Sequence, residues 1–130
     1  MLVRIILACS AILLLTRSGA AQDCLQLEFE AREALVRQAP TCDKAMELFA
    51  GCAFGGSGDI NLGQIATEKC QADFLQKLSA GQRRSYERGI KRCNAEYENM
   101  DGTMYQAMAA GCRVDLAQSY AGKFSKARSR

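Results

Sequence analysis

The stretch that decides the fold is Ser79–Tyr120, SAGQRRSYERGIKRCNAEYENMDGTMYQAMAAGCRVDLAQSY. Its spacing predicts two long helices joined by a tight turn at Asp101-Gly102-Thr103. Tyr86, Ile90, Cys93, Tyr97 and Met100 recur in steps of four and three, the narrow seam of paired helices. Met104-Tyr105, Met108, Cys112, Leu116, Tyr120 and Phe124 continue that stripe on the second helix. Cys93 and Cys112 lie equally far from the turn. In an antiparallel hairpin such residues face each other, so this pair is placed for a bridge.

Outward from the hairpin, Ser79-Ala80-Gly81-Gln82 fits a capping box, in which the Ser hydroxyl and the Gln side chain each satisfy a free amide of the other. Before it, Leu62, Ile65-Ala66, Cys70, Phe74-Leu75 and Leu78 form the apolar face of a third helix, capped by Asp59 or Ser57. Gly55-Gly56-Ser57-Gly58 separates it from a short second helix with Ala45, Leu48-Phe49 and Cys52 inward. Thr41 is that helix's expected N-cap and Asp43 lies in its first turn. The first helix, expected over Cys24–Ala39, carries Leu25, Phe29, Leu35-Val36 and Ala39 on one stripe and ends at Pro40. Glu28 and Arg32 form an i,i+4 pair on it. Interior Gly63, Gly89 and Gly111 are read as close-packing positions. Convincing alternation for a strand is absent. The expectation is an all-α domain of about five helices in antiparallel hairpins.

Residues 1–21 read as an export signal: Arg4 is the charged start, Ile5–Leu15 the apolar run, and Gly19-Ala20-Ala21 the cleavage site. The run is too short to span a bilayer, and no transmembrane segment is expected after cleavage. Residues 22–130 then form a single helical domain, with a basic tail expected to fray over about 124–130. Export places the protein in a periplasmic or secreted setting. There an even set of cysteines, Cys24, Cys42, Cys52, Cys70, Cys93 and Cys112, reads as a disulfide framework. Six cysteines allow fifteen connectivities. The hairpin symmetry that favours Cys93–Cys112 also favours Cys42–Cys70 about the glycine loop and Cys24–Cys52 about Pro40.

Charge is polarised. Residues 22–79 carry five Lys/Arg against nine Asp/Glu, and residues 80–130 carry ten against five. This is not the general basic excess of a nucleic-acid binder. The chain has no histidine, which excludes Ser-His-Asp and Cys-His catalysis. No C-x-x-C pair occurs, and Asp59-Ile60-Asn61 begins like a calcium loop but Cys70 stands where the closing carboxylate belongs. No metal, cofactor or catalytic residue is therefore assigned, and the glycine loop lacks the rest of a phosphate-loop or nucleophile-elbow motif. Its amides are free, on this reading, to meet an anionic group. Arg83, Arg84, Arg88, Lys91 and Arg92 make a basic cluster; Arg84, Arg88 and Lys91-Arg92 share a helix face and are candidates for binding an anionic surface.

Leu78-Ser79, Gln82-Arg83, Cys93, Gly102-Thr103-Met104, Met108, Cys112 and Leu116 resemble the pattern of the LprI-type lysozyme inhibitor family, small exported helical proteins of bacteria. The resemblance covers Leu78–Phe124. The chain departs from the pattern in having no tryptophan before Cys93, and Ala117 and Tyr120 where the family has Thr and Arg. The resemblance implies a non-enzymatic interaction protein that binds lysozyme or another envelope protein. Many lysozymes are basic, so Glu28, Glu33, Asp43 and Glu47 in the acidic half are the docking candidates. The alternatives are a small helical carrier of a lipid or other apolar ligand, and a cell-envelope binder using the basic cluster. Insect odorant-binding proteins, also six-cysteine helical proteins, need two cysteines separated by three residues, which this chain lacks.

Overall fold

The structure, a computed structural model, describes Cys24 and residues 26–128. The expected export signal lies outside the described residues, as does Leu25. Among the described residues five α-helices follow one another: α1 Phe29–Arg37, α2 Cys42–Cys52, α3 Gly58–Phe74, α4 Ala80–Tyr97 and α5 Thr103–Arg128. A 3-10 turn, Leu75–Lys77, bends the chain between α3 and α4. No strand occurs among the described residues.

Local signals set most of the boundaries. The Thr41 hydroxyl accepts the Lys44 amide at the start of α2. At α4 the capping box is complete: the Gln82 amide donates to Ser79 Oγ, and Gln82 Oε1 accepts the Ser79 amide at 2.8 Å. Gly102 turns the hairpin at φ +118°, a backbone that L side chains rarely adopt. Two expectations are corrected. The first helix starts at Phe29, and Phe29 and Leu35 lie outside the core, which takes Val36 and Ala39 instead. Arg32 donates from Nε to the Leu27 carbonyl, and Glu28 stands at the N-cap position.

α3 is the centre of the domain. It packs most extensively on α5 and also meets α1 and α2, while α4 lies against α5. One core cluster joins Val36, Ala45, Phe49, Leu62, Ile65, Ala66 and Val114; the other gathers around Phe74 with Leu78, Tyr86, Ala117 and Ala121. Phe74 is fully buried, 5.1 Å from the Tyr86 ring and 5.5 Å from Tyr120.

α5 departs most from expectation. Its seam residues Cys112, Leu116 and Tyr120 turn toward α4, but Met104 and Met108 are about half-exposed. A second face, Ala107, Ala110, Val114, Ala117 and Ala121, is the buried one. Small side chains let α5 approach α3 closely. The helix runs on to Arg128, and the Phe124 ring stacks on Phe74.

The cysteines pair as Cys24–Cys52, Cys42–Cys70 and Cys93–Cys112, with Cα–Cα distances of 5.2, 4.5 and 5.6 Å. One bridge thus crosses each hairpin, and each contributes about 2–4 kcal/mol, mainly by restricting the unfolded chain.

Candidate functional site

An open groove of about 720 Å³ lies at the turn end of the α4–α5 hairpin. The last turns of α4 supply Lys91, Asn94, Ala95 and Tyr97, and the chain just beyond supplies Glu98 and Met100. α5 supplies Gln106, Ala109 and Arg113, which share a helix face, and Ile60 enters from the start of α3. The groove exists because α5 turns one face to α3 and another to α4, leaving a furrow between its two neighbours.

Arg113 dominates the chemistry. Its guanidinium donates from Nη1 to Asn94 Oδ1 at 2.6 Å, which fixes it across the hairpin. Among the described residues, no carboxylate lies within 4.0 Å of it. Partial burial pulls its pKa below the ordinary value, since desolvation disfavours the charge. Arginine nonetheless stays protonated in proteins, so the groove holds a cation whose hydrogen-bonded partner is neutral.

The predicted basic residues divide. Arg84, Arg88, Lys91 and Arg92 are all exposed. Lys91 also lines the groove, so it links the basic face of α4 to Arg113. Arg83 is not part of that solvated face: its Nη2 donates to the Leu75 carbonyl at 2.7 Å and holds the bend before α4.

The predicted acidic residues do not share one recess. Glu33 lines a shallow groove with Arg37, Gln64 and Glu68. Asp43 lines another beside Asp73 and Ser125, and accepts a hydrogen bond from Gln118 at 3.0 Å. Glu47 is ion-paired with Lys44 at 2.8 Å, and Glu28 is exposed at the start of α1. The glycine loop is also spoken for. Asp59 is buried, and its Oδ2 accepts the amides of Phe54, Gly55 and Gly56 at 2.8, 2.5 and 3.2 Å. These amides serve an internal carboxylate rather than an outside anion, and Asp59 captures the loop instead of capping α3.

Of the aromatic seam, Tyr86 and Tyr120 belong to the core, with ring centroids 5.0 Å apart, whereas Tyr97 faces the groove. Sequence reasoning passed over Arg113 and Asn94. The one available signal was a cation directly after Cys112, within the otherwise apolar part of α5. Among the described residues, no group of three or more His, Cys, Asp or Glu could hold a metal ion, and no helix is long and apolar enough to cross a membrane.

No family model, curated protein or solved structure matches the chain.

Proposed function

We propose that this protein is an exported, non-enzymatic interaction module that engages an anionic component of the cell envelope through the α4–α5 hairpin. One observation carries the reading: Lys91 belongs both to the exposed basic face of α4 and to the α4–α5 groove, where Arg113 has no carboxylate partner among the described residues. A continuous run of cations attracts an anion at distance and receives it at a partly desolvated end. The export-type N-terminus and three cross-links support an envelope or extracellular setting.

The test is a pull-down from envelope extract with the oxidised exported protein. A variant with Arg84, Arg88 and Lys91 all changed to Gln should lose the captured material, and retention should fall with added salt. Capture indifferent to both the substitutions and salt would reject the reading.

Lysozyme is the partner that the family resemblance suggests, and exposed Glu28 is the observation that favours it. Glu28→Lys with Glu33→Lys should then weaken inhibition of cell-wall lysis severalfold at low salt and much less at high salt. Absence of inhibition by the unaltered protein at micromolar concentration would remove lysozyme as the partner.

A further inference from the structure

We infer that the α4–α5 groove binds a single-chain amphiphile with an oxyanion head, the head on Arg113 and the alkyl chain along Met100 and Tyr97. The inference rests on the envelope-anion reading above and specifies the ligand.

The head site follows from hydrogen-bond accounting. A guanidinium has five N–H donors, and the bond to Asn94 occupies one. That bond also fixes the side chain, so a ligand meets an arginine already in place. Carboxylates and phosphates match the free edge with two parallel bonds. Lys91 adds a second positive charge in the same groove, and Glu98 is the one carboxylate on its lining. The site therefore retains a net positive charge.

The chain site follows from the remaining lining. Gln106 and Arg113 stand about two turns apart on α5, roughly 10 Å of helix. That length exceeds what a head group alone would occupy. Ile60 and Ala109 are apolar along it, and Met100 is 47% exposed. Methionine is flexible and polarizable, and accommodates chains of varied shape. A volume of about 720 Å³ falls within the range of small-ligand sites. An acyl carboxylate and an alkyl phosphate present the same chemistry to this groove.

The experiment is calorimetric titration of the oxidised exported protein with laurate, dodecyl phosphate and dodecanol, each below its micelle concentration. At least one anion should bind ten times or more tighter than dodecanol, and the tighter of the two identifies the head. Arg113→Gln should abolish that preference and leave dodecanol unchanged, while Lys77→Gln, away from the groove, should change nothing. Met100→Glu places a carboxylate on an already exposed position and should weaken the anions tenfold; it decides the matter if Arg113→Gln does not fold. Amide shifts on laurate addition should centre on residues 91–113. No binding, equal binding of dodecanol, or a preference that survives both groove substitutions would overturn the inference. If the amphiphiles fail but envelope capture still depends on Arg84, Arg88 and Lys91, the function stands and this ligand does not.

Discussion

Gly63 and Ala110 meet where α3 crosses α5, and a Cβ built on Gly63 would stand 2.9 Å from the Ala110 Cβ. Neither atom is the end of a flexible side chain, so the helices themselves would have to part. Gly63→Ala gains about 1 kcal/mol of helix propensity but forces overpacking that costs about 1–3 kcal/mol. The expected outcome in denaturant unfolding is a net loss of stability. Gly111 is the contrast, with nothing within 4 Å of its built Cβ. Gly111→Ala should stabilise the protein by about 0.5–1 kcal/mol. Opposite signs for the two variants check the helix contact directly.

That pair also marks where sequence reading reached and where it stopped. Cysteine symmetry about the turns and the Ser79–Gln82 box are local signals, and the structure contains both. Close packing holds for Gly63, and for Gly89, whose built Cβ meets Leu116 Cδ2 at 2.6 Å, but not for Gly111. The buried face of α5 was hidden because alanine fills cores and also favours any helix position, so Ala107, Ala110 and Ala117 give no contrast. Arg113 was hidden for another reason. Its meaning depends on Asn94, 19 residues away on the opposite helix, and on the absence of a carboxylate that only tertiary structure can reveal.

Asp59 holds the glycine loop through three amides, and removing it leaves all three without their acceptor. Asp59→Ala should cost about 2–3 kcal/mol. Hydrogen exchange should show lost protection at Phe54, Gly55 and Gly56 before any change in α4. Unchanged exchange at these amides would mean the loop is held by something else.

Phe74, which meets three other aromatic rings, should be the most sensitive core position of the second cluster. Phe74→Ala should cost about 3–5 kcal/mol. Ile90, which the seam places at mid-core, is only half-buried and packs at the edge of this cluster. Ile90→Ala should therefore cost clearly less than Phe74→Ala. The reverse order in urea unfolding would place the core on the α4 seam.

Tyr86 makes stability depend on alkaline pH. Burial raises its pKa above the ordinary 10.0, opposed by the hydrogen bond from Gln71 and assisted by neighbouring Tyr120. The folded state thus keeps this phenol protonated at a pH where the unfolded chain releases the proton. The stabilisation is fully present below pH 10 and is lost as pH rises through the folded value. Unfolding free energy should fall above pH 10 in the unaltered protein. Tyr86→Phe should lower stability at neutral pH, by losing the Gln71 bond, yet flatten the decline above pH 10. An unchanged slope in that variant would assign the alkaline loss to other groups.

The three bridges make the last prediction. Cys24, Cys42, Cys52, Cys70, Cys93 and Cys112 are all paired, so the chain, if cleaved after Ala21, should contain no free thiol. Thiol titration in denaturant without reductant measures this, and two or more reactive thiols per chain would refute the framework. The bridges should differ in functional weight. Cys24–Cys52 and Cys42–Cys70 tie α2 to the chain before α1 and to α3, whereas Cys93–Cys112 alone crosses the hairpin that forms the groove. Replacing Cys93 and Cys112 together by Ala should cost about 2–4 kcal/mol. It should also loosen the Arg113–Asn94 contact, because Asn94 follows Cys93 and Arg113 follows Cys112 in the chain. Replacing Cys24 and Cys52 should cost a similar amount of stability and leave the groove's ligand affinity intact. Equal loss of affinity in both double variants, with both still folded, would show that the groove depends on overall stability and not on the bridge beside it.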